Sequence, residues 1–160
     1  MTVKKQIIKM TLPLAGGLIV GALTSKAQGD YKQYEQPPLA PPPAAFPIVW
    51  PVLYTGMGVA YYLADRYTTD KSVKVSHYAQ LGLNYLWSIL YFNLKLRGTA
   101  LIESFCLLAA GLLAALIFYD HNEIAGLLMA PYVAWLAYAS YLTAGTIKLN
   151  HDKPGFSRDF

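Results

Sequence analysis

The sequence predicts an all-α integral membrane protein, a bundle of five transmembrane helices, and three observations predict it. Hydrophobic residues make up 55% of the chain and charged residues only 14%, against roughly 25% charged in a soluble domain. The charges are clustered, with long stretches holding none, as expected where an ionised side chain in hydrocarbon is costly. Apolar runs recur five times, each near the ~20 residues needed to cross a hydrocarbon core. Surrounded by lipid, such a chain must close its backbone hydrogen bonds within each segment, so the runs are helices. At 160 residues it forms a single membrane domain, residues 1–160.

The first helix is expected over residues 7–25. Lys4, Lys5 and Lys9 precede a short apolar stretch, and Ser25-Lys26-Ala27 resembles a small-x-small cleavage site, which is also the outline of a secretory signal peptide. Gly17 and Gly21, a GxxxG helix-packing pattern, favour a retained helix, because a discarded segment has no packing to do. A loop follows over residues 26–43, polar at first and then rich in proline: six prolines fall within residues 37–47. Each proline fixes its own φ and disfavours helix in the residue before it, so the arm through Pro37, Pro38, Pro41 and Pro42 is stiff and extended.

The second helix is expected over residues 44–66, with Pro47 in its first turn, where a missing N–H costs little. Pro51, a turn deeper, is expected to kink it. The third spans residues 77–95. The polar turns Lys95-Leu96-Arg97-Gly98 and Asp120-His121-Asn122-Glu123 then set off a fourth helix over 99–119 and a fifth over 124–149. Pro131 is expected to kink the fifth and free a carbonyl near Leu127.

Several function classes are excluded. One cysteine, Cys106, gives no intrachain disulfide, and there is no CxxC or Cys/His ligand spacing. His77, His121 and His151 fall at helix ends or in loops, so no metal and no cofactor is expected. The net charge of +4 sits singly or in pairs at the ends of apolar runs, which suits lipid headgroups rather than nucleic acid. No paired carboxylates, Ser/His/Asp set or phosphate-binding glycine loop points to hydrolysis or phosphoryl transfer. Five crossings give six basic residues on one side and seven on the other, so the positive-inside rule sets no orientation.

The aromatic residues carry the functional signal. Trp50 and Tyr54 share a face of the second helix; Asn84, Trp87, Ser88 and Tyr91 share one of the third; Pro131, Trp135, Tyr138 and Leu142 share one of the fifth. Such stripes also arise from packing or interfacial anchoring. Trp87, Trp135 and Asn84 are expected mid-span, however, where indole N–H and amide groups on convergent apolar faces suit a flat, largely apolar ligand with a few polar atoms. Glu103 is expected to pair with Arg97 or a tyrosine hydroxyl.

The stretches PPLAPPPAAFPIVWPVLYTGMG, LNYLWSILYF and APYVAWLAYASYLTAGTIKLN resemble the translocator protein family, also called the tryptophan-rich sensory or peripheral-type benzodiazepine receptor family. The resemblance implies a five-helix bundle, a retained first helix and a homodimer. It implies a pocket under the loop between helices one and two that binds porphyrins such as protoporphyrin IX, sterols, and synthetic benzodiazepine and isoquinoline ligands. Pocket residues carried over are Trp50 and Trp135, Asn84 and Trp87, Ala139 and Leu142, with the prolines at 37, 38, 41 and 42 as the lid.

Three departures bear on the ligand. Leu39 stands where relatives carry a Trp, and Gln36 where they carry a basic residue. Ala144 stands where a sterol-recognition pattern needs Tyr, and Tyr141 is too far from Lys148, so cholesterol is a poor candidate. The leading expectation is a membrane receptor or transporter for porphyrin-like ligands. Light- and oxygen-dependent porphyrin breakdown using Trp50 and Trp135, and a stress-sensing scaffold, are the alternatives. For a dimer, Gly17 with Gly21, or Ala110 with Ala114 and Gly111 with Ala115, offer small-residue faces.

Overall fold

The computed structural model describes residues 3–159, with residues 30 and 31 in their backbone only. Five α-helices follow one another: α1 (Val3–Gln28), α2 (Phe46–Asp65), α3 (Lys71–Ser88), α4 (Arg97–His121) and α5 (Glu123–Asn150). A π-turn, Ile89–Asn93, ends α3, and single 3₁₀ turns occupy Gly29–Gln33 and Pro43–Ala45. Four segments are long and apolar enough to cross a membrane: Val3–Gln28, Pro43–Asp65, Arg97–His121 and Glu123–Asn150.

Helix α3 is the exception, and its composition explains why. It starts earlier than the apolar run suggests because Asp70 caps it, accepting the Ser72 N–H at 2.8 Å. Three of its polar residues are not on the outside: His77 and Gln80 are fully buried and Asn84 is 2% exposed. Its inward face mixes these polar groups with Val73 and Leu81, and Lys71 and Lys74 are exposed. His77 therefore sits in the core rather than at a helix end, stacked on Tyr61 with ring centroids 3.9 Å apart. The earlier start also places Trp87 in the last turn of α3, not mid-span.

Around the bundle the order is α1, α2, α5, α4, α3, and the α1–α3 seam is the loosest. Glycines set how closely α1 approaches. A Cβ on Gly58 of α2 would strike the Met10 carbonyl oxygen, and Cβ atoms on Gly16 and Gly17 would enter the Tyr85 and Tyr54 rings. Gly17 of the GxxxG is thus taken by intrachain packing, while a Cβ on Gly21 would meet nothing within 4 Å. Gly111 likewise faces Leu136 and Ala114 is fully buried, so these small residues are not free for a second copy. At the far end of the molecule, Lys9 pairs with Asp65 and joins α1 to α2.

The C-terminal tail closes the opposite end. Leu96 gives α4 no side-chain cap, and Asp159 supplies one from the tail, accepting the Gly98 N–H at 3.1 Å and the Thr99 N–H at 2.7 Å. Arg97 is 1% exposed. It donates to the Phe156 carbonyl and lies over the rings of Phe156 at 4.4 Å, Tyr34 at 4.7 Å and Tyr91 at 5.1 Å. The expected Arg97–Glu103 pair does not form. Six residues separate them, about 9 Å along the helix axis, and the tail already holds the guanidinium. Both Glu103 oxygens are buried without a hydrogen-bond partner among the described residues.

Partial burial opposes ionisation of Asp159, but the Ser157 hydroxyl and the Thr99 and Gly98 amides outweigh it and hold its pKa at about 2. A carboxylate depressed below its ordinary 3.8 adds stability above that value and loses it as pH falls toward about 2. The difference in Tm between the wild type and Asp159→Asn should be constant from neutral pH to about pH 4 and shrink toward pH 2. A difference that stays flat over the whole range would remove the trans-cap.

Candidate ligand cavity under the loop

One cavity of about 380 Å³ lies between α1, α2, the end of α3 with its π-turn, and α5. That falls within the ~300–1,000 Å³ of small-molecule sites. Trp50, Tyr54, Trp87, Trp135, Ala139 and Leu142 line it, so six of the nine expected pocket residues converge. Trp50 stacks on Tyr54 at 5.4 Å and meets Trp135 edge-on at 6.3 Å. Trp87 stacks on Tyr91 at 5.0 Å. The indole N–H groups of Trp87 and Trp135 are both buried without a partner among the described residues. An unpaired buried donor costs about 1–3 kcal/mol.

Three expected residues stand elsewhere, each for a physical reason. Asn84 lies behind the wall, its amide committed to protein partners. The Tyr54 hydroxyl donates to its Oδ1, and its Nδ2 donates to the Tyr132 hydroxyl at 3.2 Å. Tyr132 in turn donates to Gln80 Oε1 at 2.7 Å. Asn84 therefore positions Tyr54 rather than meeting a ligand. Pro131 is exposed on the outer face of α5, because Tyr132 takes the inward direction and is buried. Tyr138 turns to the loop, donating to the Leu39 carbonyl.

The proline arm is a strap along α5 rather than a plug over the cavity. Proline nitrogens donate nothing, so the strap offers carbonyls, and tyrosines on α5 meet them. Tyr141 donates to the Pro38 carbonyl at 2.7 Å beside the Tyr138–Leu39 bond. Pro37 is buried against Gly145, where a Cβ would strike its ring. The arm is not extended throughout. A turn brings the Ala40 N–H to the Pro37 carbonyl at 3.2 Å, with Leu39 in the left-handed region at φ 68°. That conformation is strained for a residue with a Cβ. Among the described residues, Pro37, Pro38, Pro41 and Pro42 do not line the cavity; Gln28, Phe46 and Pro47 close its end.

Sequence reasoning missed one wall and one anchor. Leu14, Gly17, Val20, Gly21 and Thr24 of α1 line the cavity, and the GxxxG spacing was the available signal. The anchor is Asn150, fully buried. Its Oδ1 accepts the Glu35 N–H at 3.0 Å and its Nδ2 donates to the Glu35 carbonyl at 2.9 Å. Lys153 adds an ion pair to Glu35 at 2.9 Å.

Replacing both Tyr138 and Tyr141 with Phe should release the strap while leaving the helices intact. Limited proteolysis should then nick residues 36–43 several-fold faster, with an unchanged helical circular dichroism spectrum. Cleavage at the wild-type rate would mean that Pro37 and Asn150 hold the loop alone.

The sequence pattern of the TspO/MBR family matches residues 9–149. A tryptophan-rich protein TspO of Archaeoglobus fulgidus is 33% identical over 153 residues, covering 94% of this chain and 99% of that protein. A translocator protein homolog of Schizosaccharomyces pombe is 32% identical over 151 residues, covering 87% and 88%. The translocator protein of Homo sapiens is 29% identical over 155 residues, covering 92% of each.

Proposed function

The chain belongs to the TspO/MBR family of membrane proteins, and on that premise we propose that it is a receptor or transporter for porphyrin-like ligands held in the inner cavity. The observation that carries this reading is the convergence of Trp50, Tyr54, Trp87 and Trp135 on one cavity of about 380 Å³. A flat conjugated ring system suits that wall, because its faces stack on indole and phenol rings. Synthetic benzodiazepine- and isoquinoline-type ligands share that description, a planar aromatic body. The chain is expected to act as a homodimer. Gly17, Gly111 and Ala114 pack within the chain.

The polar chain behind the wall supports the reading. Held by Asn84, the Tyr54 ring lies against Gly17 and under Trp50. The wall is therefore preorganised, and little side-chain freedom is lost when a ligand enters.

A second reading, light- and oxygen-dependent breakdown of the bound porphyrin, is favoured by one observation: Trp50 and Trp135 stand edge to face at 6.3 Å in the cavity wall. Both are oxidisable and both would touch the macrocycle.

Titration of the purified protein with protoporphyrin IX in the dark, followed by Trp quenching, should saturate at micromolar concentration. Trp135→Phe shrinks the aromatic face of the wall, so it should weaken binding about three- to tenfold, the range of one aromatic contact. Linear quenching in both proteins would mean that the porphyrin only partitions into the micelle. Under illumination, a defined product that vanishes in the Trp50→Phe, Trp135→Phe double variant would support breakdown. The same product at the same rate from that variant would sink it.

A further inference from the structure

The seam between α1 and α3 is closed midway and open toward one end. Both helices run antiparallel to α2: Met10 and Gly17 of α1 meet Gly58 and Tyr54, and His77 and Asn84 of α3 meet Tyr61 and Tyr54. They therefore run parallel to each other. Where they touch, the Tyr85 ring lies on Gly16 and its hydroxyl donates to the Pro13 carbonyl at 2.7 Å.

Helical periodicity carries that contact face toward Val3 and Lys71. On α1 it passes through Leu12 and Lys5, four and eleven residues before Gly16; on α3 it passes through Tyr78 and Lys74, seven and eleven before Tyr85. Packed helices would bury these four. Instead Leu12 is 40% and Tyr78 37% exposed, and both lysines are exposed. The seam is a groove here, apolar along its length, with one ammonium on each bank at the same level. From the lysines to Gly16 it runs about 16 Å, close to the ~15 Å of hydrocarbon in one leaflet.

Neither ammonium is neutralised among the described residues. The nearby acids face elsewhere. Asp65 is taken by Lys9, and Asp70 turns to the Ser72 N–H and to His121 of α4. Lys4 and Lys71, both exposed, add to the same positive field. Lys5, Leu12, Lys74 and Tyr78 do not line the inner cavity, so the groove is a separate feature.

We propose that this groove is a binding site for one anionic phospholipid, its phosphate held between Lys5 and Lys74 and an acyl chain lying along Leu12 and Tyr78 as far as Gly16. The lysines stand where the helices leave the hydrocarbon, at headgroup depth, and attract a net negative headgroup more than a zwitterionic one. The chain covers apolar surface that α1 and α3 leave unpacked. The site is independent of what the inner cavity holds.

The test uses the full chain in maltoside micelles, titrated with dioleoyl phosphatidylglycerol or dioleoyl phosphatidylcholine and read by native mass spectrometry. The wild type should retain one phosphatidylglycerol about tenfold more tightly than phosphatidylcholine. A lysine at an anionic surface contributes about fivefold, so Lys5→Gln combined with Lys74→Gln should erase the preference. Lys5→Arg with Lys74→Arg should keep it, as should Lys26→Gln with Lys148→Gln at the opposite end. Leu12→Trp leaves the charges and fills the groove, so it should lose the retained lipid. A preference that survives Leu12→Trp would be a diffuse charge effect and would overturn the site. Equal retention of both lipids by the wild type would overturn it too, as would displacement of the lipid by millimolar glycerol 3-phosphate, which has the phosphate and no chain. If two copies crosslink through Lys5 and Lys74 and retain no lipid, a second copy fills the seam and the proposal falls.

Discussion

A polar group in hydrocarbon must find its partner within the protein, and that constraint organises the bundle. Tyr54 on α2, Asn84 and Gln80 on α3, and Tyr132 on α5 form one connected chain of hydrogen bonds in its interior. It ends with the Gln80 amide on the Met57 sulfur at 3.1 Å. None of these side chains can turn outward without leaving its group unpaired in lipid, so three helices are held in one rotational setting. That setting explains why α3, too polar to pass for a spanning helix by composition, packs with Gln80 and Asn84 inward. It also fixes Tyr54, against which α1 can rest only because residue 17 is glycine.

The same constraint makes the unsatisfied groups conspicuous. Among the described residues, the indole N–H groups of Trp87 and Trp135 in the cavity wall are buried without partners, as are the Tyr61 hydroxyl and both His77 nitrogens. Beyond that wall the links continue outward: Trp87 stacks on Tyr91, Tyr91 lies under Arg97, and Arg97 touches Tyr34 of the loop and Phe156 of the tail. Cavity wall, loop and C-terminus thus share one buried guanidinium. Strap and tail meet again at Asn150, which acts as a backbone-like partner for Glu35. A proline-rich segment with few donors of its own is held because α5 presents tyrosine hydroxyls to its carbonyls.

Much of this was legible in the residues. Apolar run lengths gave the helices, with α4 and α5 found within two residues at their starts because Gly98 and Asn122 mark them in the sequence. Helical spacing placed Trp50, Tyr54, Trp135 and Leu142 on faces that do converge. Position along a helix was harder to read. Residues 71–76 hold two lysines and two serines, so the apolar run hid the true start of α3 and with it the depth of His77 and Trp87. Pro131 and Trp135 share a stripe, but a stripe is wide enough for one edge to face lipid while the other faces the cavity. Glu103 was given Arg97 on sequence proximity, and the tail, far away in sequence, took that partner first.

By itself the sequence determined what local chemistry and periodicity determine: a membrane chain, five helices, a stiff proline arm, and aromatic faces turned toward a common interior. These follow from transfer energies and from 3.6 residues per turn, which each segment obeys alone. Only the tertiary structure decided which polar groups pair and which are left over. Asn84 became a brace, Gly17 a seat for Tyr54, and the proline arm a strap on α5. Pairing is a competition among all donors and acceptors brought within about 3 Å, and its winners are set by helix packing, not by neighbours in the chain.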